Sequence, residues 1–345
     1  MSRHRFPVAV SVLLLTAAAC SDRAGMPSEP MVKPLHVATA SSQSDPGAIG
    51  LGVAHAHIAE LRTAATDHGV SDAAGGGGAS GAGMVYHGGP VLQAGTKVVA
   101  VYWASSAIYS GGPTPGTTGA GSADGSNVGY FLNNLGGSPY FNINTTYTNG
   151  AGAKIANSVS YTSYWANNAS VPANGATVTD AQMVAMLQSG INSGAIAYDA
   201  STVYTIFTAG TVNLGGGFGS QYCAYHWYGT VTVGGSSKTI LYAAMPYDYA
   251  YPSGCTAGLA SPNADPAADA EVNTLAHEIE ETTTDMLGTA WYDRRGYENA
   301  DKCAWKWGTT YASNGGVANM KIGAKDFLVQ MNWVNAGSGG CALKY

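Results

Sequence analysis

The stretch KVVAVYWAS at residues 97–105 gives the clearest indication of the fold. It is rich in β-branched and aromatic side chains, and a second run of this kind, STVYTIFTAG, occupies residues 201–210. Runs of this length bounded by glycine are typical of buried strands. TVTVGGSSKTILYAA at 230–244 predicts two strands joined by a Gly-Gly turn, and KDFLVQMNWV at 325–334 predicts one late strand.

Two segments between these strands have the pattern of helices. TDAQMVAMLQSGI at 179–191 offers Asp180 as an N-cap, and the segment 265–288 begins with Asp265 as cap, places Pro266 at the first helical position and closes at Gly288. Strands interleaved with a few helices predict an α/β (α+β) fold, a single domain in which helices pack on a mixed β-sheet.

Charge excludes one class of partner. The chain has 345 residues and a net charge of -6, and its 15 Lys and Arg residues form no basic stripe. A nucleic-acid partner is therefore not expected.

The N-terminus has the pattern of an export signal at residues 1–20. Arg3 and Arg5 precede an apolar run that is too short to span a bilayer. The run ends in LLLTAAAC, which resembles a bacterial lipobox and predicts lipidation of Cys20. Ala17 departs from the usual leucine-like residue, which leaves ordinary signal-peptidase cleavage open. The protein is expected in the cell envelope or outside the cell, with membrane contact only through the lipid.

Residues 21–83 have a different composition from the rest of the chain. They are rich in Ser, Ala, Pro and Gly and finish in AAGGGGASGAG, a composition that cannot bury enough apolar surface to fold. We expect a disordered tether over 21–83 and a globular domain over 84–345.

Cysteine parity predicts two disulfide bonds. Once Cys20 is set aside, Cys223, Cys255, Cys303 and Cys341 remain, an even number that suits an oxidising compartment. Four cysteines allow three connectivities. Proximity in sequence favours Cys223 with Cys255, which leaves Cys303 with Cys341, while four free thiols are the alternative.

The segment LAHEIEE at 275–281 concentrates the acidic residues of the second helix. His277 and Glu281 stand four apart and share a helix face, and Glu278 lies about 100° around the axis. This is the HExxH pattern of zinc hydrolases with glutamate as the second ligand, so Glu278 is the candidate general base. ENADKC at 298–303 supplies Glu298 and Asp301. Asp301 lies twenty positions beyond Glu281, a spacing that resembles that of the third ligand in thermolysin-like HExxH enzymes.

The same acidic residues have a simpler interpretation as a solvated helix face. Arg294, Arg295 and Lys302 could then neutralise them as surface ion pairs, each of which contributes little to stability. Neither a GxSxG motif nor a nucleotide-binding glycine pattern is present.

Several stretches, taken together and in order, resemble one known family. They are YHGGPVL (86–92) followed by KVVAVYW, CAYHWY (223–228), LAHEIEE, AWY (290–292), ENADKC (298–303), DFLVQMNW (326–333) and the closing Cys341. Over residues 84–345 the chain resembles the phosphate-induced protein 1, or EXORDIUM, proteins of plant cell walls, and the lipobox indicates a bacterial member.

The resemblance implies secretion and a role connected with growth or the cell wall, but no specific activity. His277, Glu278, Glu281, Glu298 and Asp301 fall on the pattern of the family, whereas Glu280 does not. The resemblance thus implies His277, Glu281 and Asp301 as the candidate ligands, with Glu298 as the substitute third ligand. His226, in CAYHWY, is a candidate further ligand or oxyanion stabiliser, with a hydrogen-bonded structural role as the alternative.

Two function classes follow. The first is a zinc-dependent hydrolase, most simply a peptidase, whose carboxylate-rich site could also accept calcium or manganese. The second is a non-catalytic surface protein that binds cell-wall polysaccharide through its Tyr and Trp residues, with a structural metal or none.

Overall fold

The structure of the protein is a computed structural model that describes residues 83–220 and 222–345. The predicted export signal, the lipidation of Cys20 and the tether, apart from Gly83, lie outside the described residues. The main sheet contains strands β2 to β7, and short two-stranded pairs are formed by β1 and β8 to β14. The strands are β1 Val85–Tyr86, β2 Thr96–Trp103, β3 Thr118–Ala120, β4 Val159–Asn167, β5 Thr202–Thr208, β6 Tyr225–Val233, β7 Ser236–Met245, β8 Trp291–Tyr292, β9 Tyr311–Ser313, β10 Gly316–Ala318, β11 Met320–Ile322, β12 Lys325–Phe327, β13 Asn332–Val334 and β14 Gly340–Ala342. The α-helices are α1 Asn127–Leu135, α2 Asp180–Ser193, α3 Pro252–Cys255 and α4 Pro266–Thr284.

The main sheet is mixed, as predicted. Its strand order is β3-β4-β2-β5-β7-β6. The four inner strands run parallel, and β3 and β6 pair antiparallel at the two edges. Together with the helices packed on it, this sheet confirms the predicted α/β (α+β) class.

Strand β2 shows why its sequence is apolar almost throughout. Val98 and Tyr102 face a core that includes residues of α1 and α4, whereas Val99 and Trp103 face a second core built with α2. A parallel strand covered by helices on both faces needs apolar side chains on both faces. Successive side chains point to opposite faces, so a continuous apolar run satisfies both cores.

The predicted hairpin is confirmed at β6 and β7. Its strands pair in register from Tyr225 opposite Ala244 to Val233 opposite Ser236. The two turn residues, Gly234 and Gly235, have φ of 57° and 76°. Two consecutive residues at positive φ are what a tight two-residue hairpin turn requires, and glycine adopts them without steric cost.

The single late strand predicted at 325–334 is wrong. The chain forms β12 and β13, and the residues between them leave the ladder. The backbone N–H of Val329 donates to Asn319 Oδ1 at 3.0 Å, and that of Gln330 donates to Asn273 Oδ1 at 2.9 Å. Side-chain amides therefore take the hydrogen bonds that a neighbouring strand would have received.

The two predicted helices form, with corrected ends. Thr179, not Asp180, caps α2, because its hydroxyl accepts from Gln182 N at 3.3 Å while Gln182 Oε1 accepts from Thr179 N at 2.9 Å. This reciprocal pair is a capping box. Asp180 is the first residue of the helix and accepts a hydrogen bond from the Tyr225 hydroxyl at 2.6 Å.

Helix α4 begins as predicted but ends earlier than Gly288. Asp265 caps it through Ala268 N at 3.2 Å, and Pro266 is its first residue. The helix ends at Thr284 because Asp285 leaves the helical conformation. The Asp285 carboxylate then accepts the backbone N–H groups of residues 289 and 290 at 2.6 and 2.7 Å, which fixes the following turn.

Both predicted disulfide bonds are present. Cys223 bonds to Cys255 and Cys303 bonds to Cys341, with Cα–Cα distances of 5.4 and 5.6 Å. Two disulfide bonds fit an extracellular protein. Within residues 83–220 and 222–345, no helix is long and apolar enough to cross a membrane.

Candidate metal centre

Helix α4 supplies three of the predicted site residues. His277, Glu278 and Glu281 lie in its C-terminal half, and the four-residue spacing brings His277 Nε2 within 3.0 Å of Glu281 Oε1. The side chains of Glu278 and Glu281 are only 6% and 5% exposed. The interpretation of this segment as a solvated helix face is therefore wrong.

The loop after β8 adds Asp301. Its carboxylate Oδ1 lies 3.4 Å from His277 Nε2, and its backbone N–H donates to Glu281 Oε1 at 2.9 Å. Asp301 opens a short 3-10 helix that ends at Cys303, whose bond to Cys341 ties this loop to β14. The position of Asp301 thus depends on a backbone hydrogen bond and a nearby disulfide.

His277, Glu281 and Asp301 form a group whose dimensions suit a metal ion. Their ligand atoms all lie within 4.8 Å of one another. Bonds of about 2.0–2.2 Å to a tetrahedral zinc ion would separate ligand atoms by roughly 3.3–3.6 Å. The observed 3.0 and 3.4 Å separations from His277 Nε2 are close to that range. The three residues predicted as ligands therefore can hold a metal.

His226 reaches the same site from the sheet. It lies on the edge strand β6, opposite Ala243, and its Nδ1 is 3.2 Å from Glu278 Oε2 and 3.7 Å from Glu281 Oε2. His226, Glu278 and Glu281 form a second group with metal-ligand spacing, which shares Glu281 with the first. Sequence analysis singled out His226 without placing it against Glu278.

Glu298 lies on the His226 side of the site. Its Oε1 is 3.6 Å from His226 Nε2, and this oxygen is buried without a hydrogen bond. The structure thus brings Glu298 to His226, while Asp301 occupies the third position beside His277.

The electrostatics of the site are those of crowded, buried carboxylates. Burial and the neighbouring Asp301 carboxylate raise the pKa of Glu281 to about 7, against the lowering effect of His277. Burial would lower the pKa of His277, but the carboxylates of Glu281, Asp301 and Glu278 raise it well above its usual value. Burial, followed by the charges of Glu281 and Asp285, raises the pKa of Glu298 well above its usual value. The crowded carboxylates therefore favour the binding of positive charge, and either protons or a metal cation can supply it.

The two arginines do not neutralise the cluster in the way that the surface interpretation required. Arg294 and Arg295 are exposed, and no ion pair connects either to the site within the described part of the chain. Lys302 Nζ bonds to Asp293 at 2.9 Å.

Glu280 takes no part in the site, although it is fully buried on the same helix. Burial raises the pKa of its carboxyl group well above the usual value, and both carboxyl oxygens are buried without a hydrogen bond. The threonines that follow are also buried. The hydroxyls of Thr282 and Thr283 each donate a hydrogen bond to the backbone carbonyl four residues earlier, at 2.6 Å. The last turn of the helix can therefore be buried with these hydroxyls paired.

A buried polar pair next to the site was not predicted from the sequence. Asp248 and Glu271 are both fully buried, and Asp248 N donates to Glu271 Oε2 at 3.4 Å. Thr274 Oγ1 donates to Asp248 Oδ2 at 2.6 Å. Glu271 stands seven positions before Glu278, so the two lie on one helix face, and that spacing was the available signal.

Fold and site together define a class: a disulfide-bonded α/β protein with a mixed sheet and a buried histidine–carboxylate cluster that can hold a metal. The family model for the phosphate-induced protein 1 conserved region matches residues 135–325, more than half of the chain. The chain therefore belongs to the phosphate-induced protein 1 family. The cluster consists of six residues, all inside the matched region: His226, His277, Glu278, Glu281, Glu298 and Asp301. Comparisons with curated proteins and with solved structures gave no significant match.

Proposed function

We propose that this protein is an exported, metal-dependent hydrolase, most simply a zinc peptidase. The observation that carries the proposal is the group formed by His277, Glu281 and Asp301, with ligand atoms within 4.8 Å of one another. Zinc suits an imidazole with two carboxylates, and the harder oxygen ligands leave manganese or calcium as alternative occupants.

The side chains of the site differ in their exposure to solvent. The side chain of Asp301 is 31% exposed and that of His277 is 13% exposed, whereas those of His226 and Glu278 are each 6% exposed. Substrate would therefore enter from the Asp301 side and meet Glu278 and His226 at the inner wall. An ion that keeps an open position toward solvent is the arrangement that catalytic metal sites require.

The side chains around the ion have separate tasks. An ion held by His277, Glu281 and Asp301 would polarise the scissile carbonyl as a Lewis acid and would make water more acidic. Glu278 accepts the proton of the attacking water and delivers it to the leaving amine. His226 is a candidate stabiliser of the developing oxyanion, and its contact with Glu278 at 3.2 Å holds it at the wall of the site.

The non-catalytic alternative receives less support from the structure. Binding of wall polysaccharide through stacked aromatic rings needs exposed rings. Tyr249, Tyr311 and Tyr345 are exposed, whereas Tyr140, Tyr147, Tyr204 and Tyr242 are fully buried and build the core. Polysaccharide binding without hydrolysis therefore stands as the outcome of a negative activity test.

Hydrolysis should depend on the ion. We expect the purified full chain to cleave a mixed peptide library, to lose that activity after chelation and to recover it when zinc is restored. Arg294→Ala, a change at an exposed side chain outside the cluster, should respond in the same way as the unmodified protein. Cleavage that survives complete removal of metal would exclude a metal-dependent mechanism. An inactive but metal-loaded protein would favour the binding function.

Surface anchoring rests on the N-terminal sequence. Mass spectrometry of the protein from its native cells should find lipid on Cys20 as the first residue of the mature chain. A mature chain that begins elsewhere, or an unmodified Cys20, would contradict the anchor. The matched control is Cys20→Ser, which should be released from the membrane fraction.

A further inference from the structure

We propose that the site has a second, weaker cation position formed by His226, Glu278 and Glu281, and that an ion bound there inhibits hydrolysis. This inference rests on the proposed function, because it needs a first ion at His277, Glu281 and Asp301. A further divalent ion of the same kind, such as zinc, is the ligand.

The first support is the shape of the cluster. The ligand atoms of His226, Glu278 and Glu281 lie within 4.8 Å of one another, as do those of the first group. The two groups share one carboxylate, and its oxygens face opposite ways: Glu281 Oε1 lies 3.0 Å from His277 Nε2, and Oε2 lies 3.7 Å from His226 Nδ1. A carboxylate that presents one oxygen to each of two ligand sets can bridge two ions, which in two-metal sites stand about 3.5–4 Å apart.

The second support is the position of Glu298. Metal-binding histidines commonly donate their other ring N–H to a carboxylate, which fixes the tautomer and turns the free ring nitrogen toward the ion. Glu298 Oε1 lies 3.6 Å from His226 Nε2 and is buried without a hydrogen bond. In the metal-free protein the hydrogen bond of the ring joins Nδ1 to Glu278 at 3.2 Å. With an ion at Nδ1, the ring proton would lie on Nε2, on the side of the unpaired Glu298 oxygen. This arrangement is independent of the spacing of the acidic residues on α4.

Inhibition by the second ion follows because Glu278 has two roles. The same carboxylate serves as the base in the proposed reaction and as a ligand in the second position. An ion bound to the Glu278 carboxylate occupies one of its oxygens and lowers the basicity of the other, so this carboxylate becomes a poor acceptor for the proton of water. General bases typically contribute about 10²–10⁴-fold to rate. The second ion binds more weakly because it shares Glu281 and is repelled by the first ion.

The test is a zinc titration of the metal-depleted full chain, followed by equilibrium dialysis and elemental analysis. We expect two zinc ions per chain at saturation, in two phases. Asp301→Asn should lose the tighter phase, and Glu281→Ala should lose both. His226→Ala and Glu278→Gln should each lose the weaker phase and keep one ion. His87→Ala, which removes an exposed histidine stacked on Tyr292, is the matched control and should bind two ions.

Peptide hydrolysis measured along the same titration should rise as the first ion binds and fall at least about tenfold as the second binds. In His226→Ala the rise should remain, at whatever rate this variant supports, and the fall should disappear. Glu278→Gln preserves size and provides the binding test even if His226→Ala fails to fold.

Three outcomes separate this inference from the proposed function. One zinc ion at saturation with activity intact overturns the second position and leaves the hydrolase proposal standing. Two ions that both persist in His226→Ala and in Glu278→Gln overturn the assigned ligands. No bound zinc in the unmodified chain overturns both proposals.

Discussion

Glu278→Gln should retain the tightly bound ion and lose hydrolysis by roughly 10²–10⁴-fold. Glutamine preserves the size and shape of the side chain but cannot accept the proton of water at this position. The three ligands of the first group, His277, Glu281 and Asp301, are untouched by the change. Metal content at low zinc and the melting temperature should therefore stay close to those of the unmodified protein, while kcat falls.

The control for this variant is Glu280→Gln. Glu280 is two positions away on the same helix and fully buried, but it lies outside the cluster. It tests whether removal of any buried carboxylate from α4 reduces activity. Equal losses of kcat in the two variants would contradict the assignment of Glu278 as base.

Glu271→Gln should remove a large part of the stability that the metal-free protein loses as pH rises. Glu271 is fully buried, and burial raises the pKa of its carboxyl group to about 8 from an ordinary value of 4.5. Burial and the Glu271 carboxylate also raise the pKa of the neighbouring Asp248 well above its usual value. Between pH 4.5 and about pH 8, Glu271 has lost its proton in the unfolded chain but keeps it in the folded chain.

The sign follows from proton linkage. Where the folded state binds more protons than the unfolded state, the free energy of unfolding falls as pH rises. The stability associated with protonated Glu271 is complete below about pH 4.5 and is lost up to about pH 8. At about 1.4 kcal/mol per pKa unit, this loss is on the order of 5 kcal/mol. Glutamine does not titrate, so the unfolding free energy of the Glu271→Gln variant should vary much less between these pH values.

Denaturant unfolding of metal-depleted protein at several pH values measures this difference in slope. Asp199→Asn is a control of opposite sign, because the hydrogen bond from Lys97 lowers the pKa of Asp199 to about 2. Its stabilising effect is present above the ordinary pKa of 3.8 and is lost in acid. This variant should therefore be less stable than the unmodified protein above about pH 4, and the difference should shrink as pH falls toward about 2. Parallel pH profiles for Glu271→Gln and the unmodified protein would rule out a buried, protonated Glu271.

Local patterns predicted the parts of the fold that local forces decide. The apolar run at 97–105 becomes β2, the Gly-Gly pair turns the β6–β7 hairpin, and Pro266 opens α4. Each feature depends on residues within one element. The last strand was not predictable in this way, because the amides of Asn319 and Asn273 take the hydrogen bonds of the chain between β12 and β13.

The site residues also differ in whether local sequence or tertiary structure brings them together. Helical spacing alone places His277, Glu278 and Glu281 together, and family resemblance supports Asp301. The contact between His226 and Glu278 spans 52 positions and exists because the edge strand β6 lies beside α4. Burial of the acidic residues also depends on the tertiary structure, since their sequence reads equally well as a solvated face. Sequence therefore predicted which residues lie close together here, but not that two histidines contact the same carboxylate.

The central claim is that His277, Glu281 and Asp301 bind a metal ion. The most direct measurement is elemental analysis, beside a melting curve, of the full chain loaded with zinc and dialysed against metal-free buffer. We predict one retained ion per chain in the unmodified protein and in Glu280→Gln. Glu281→Ala should retain none and should melt at a lower temperature, since an ion that binds only the native state stabilises it. A metal-free unmodified protein, together with a Glu281→Ala variant that melts no lower, would contradict the claim.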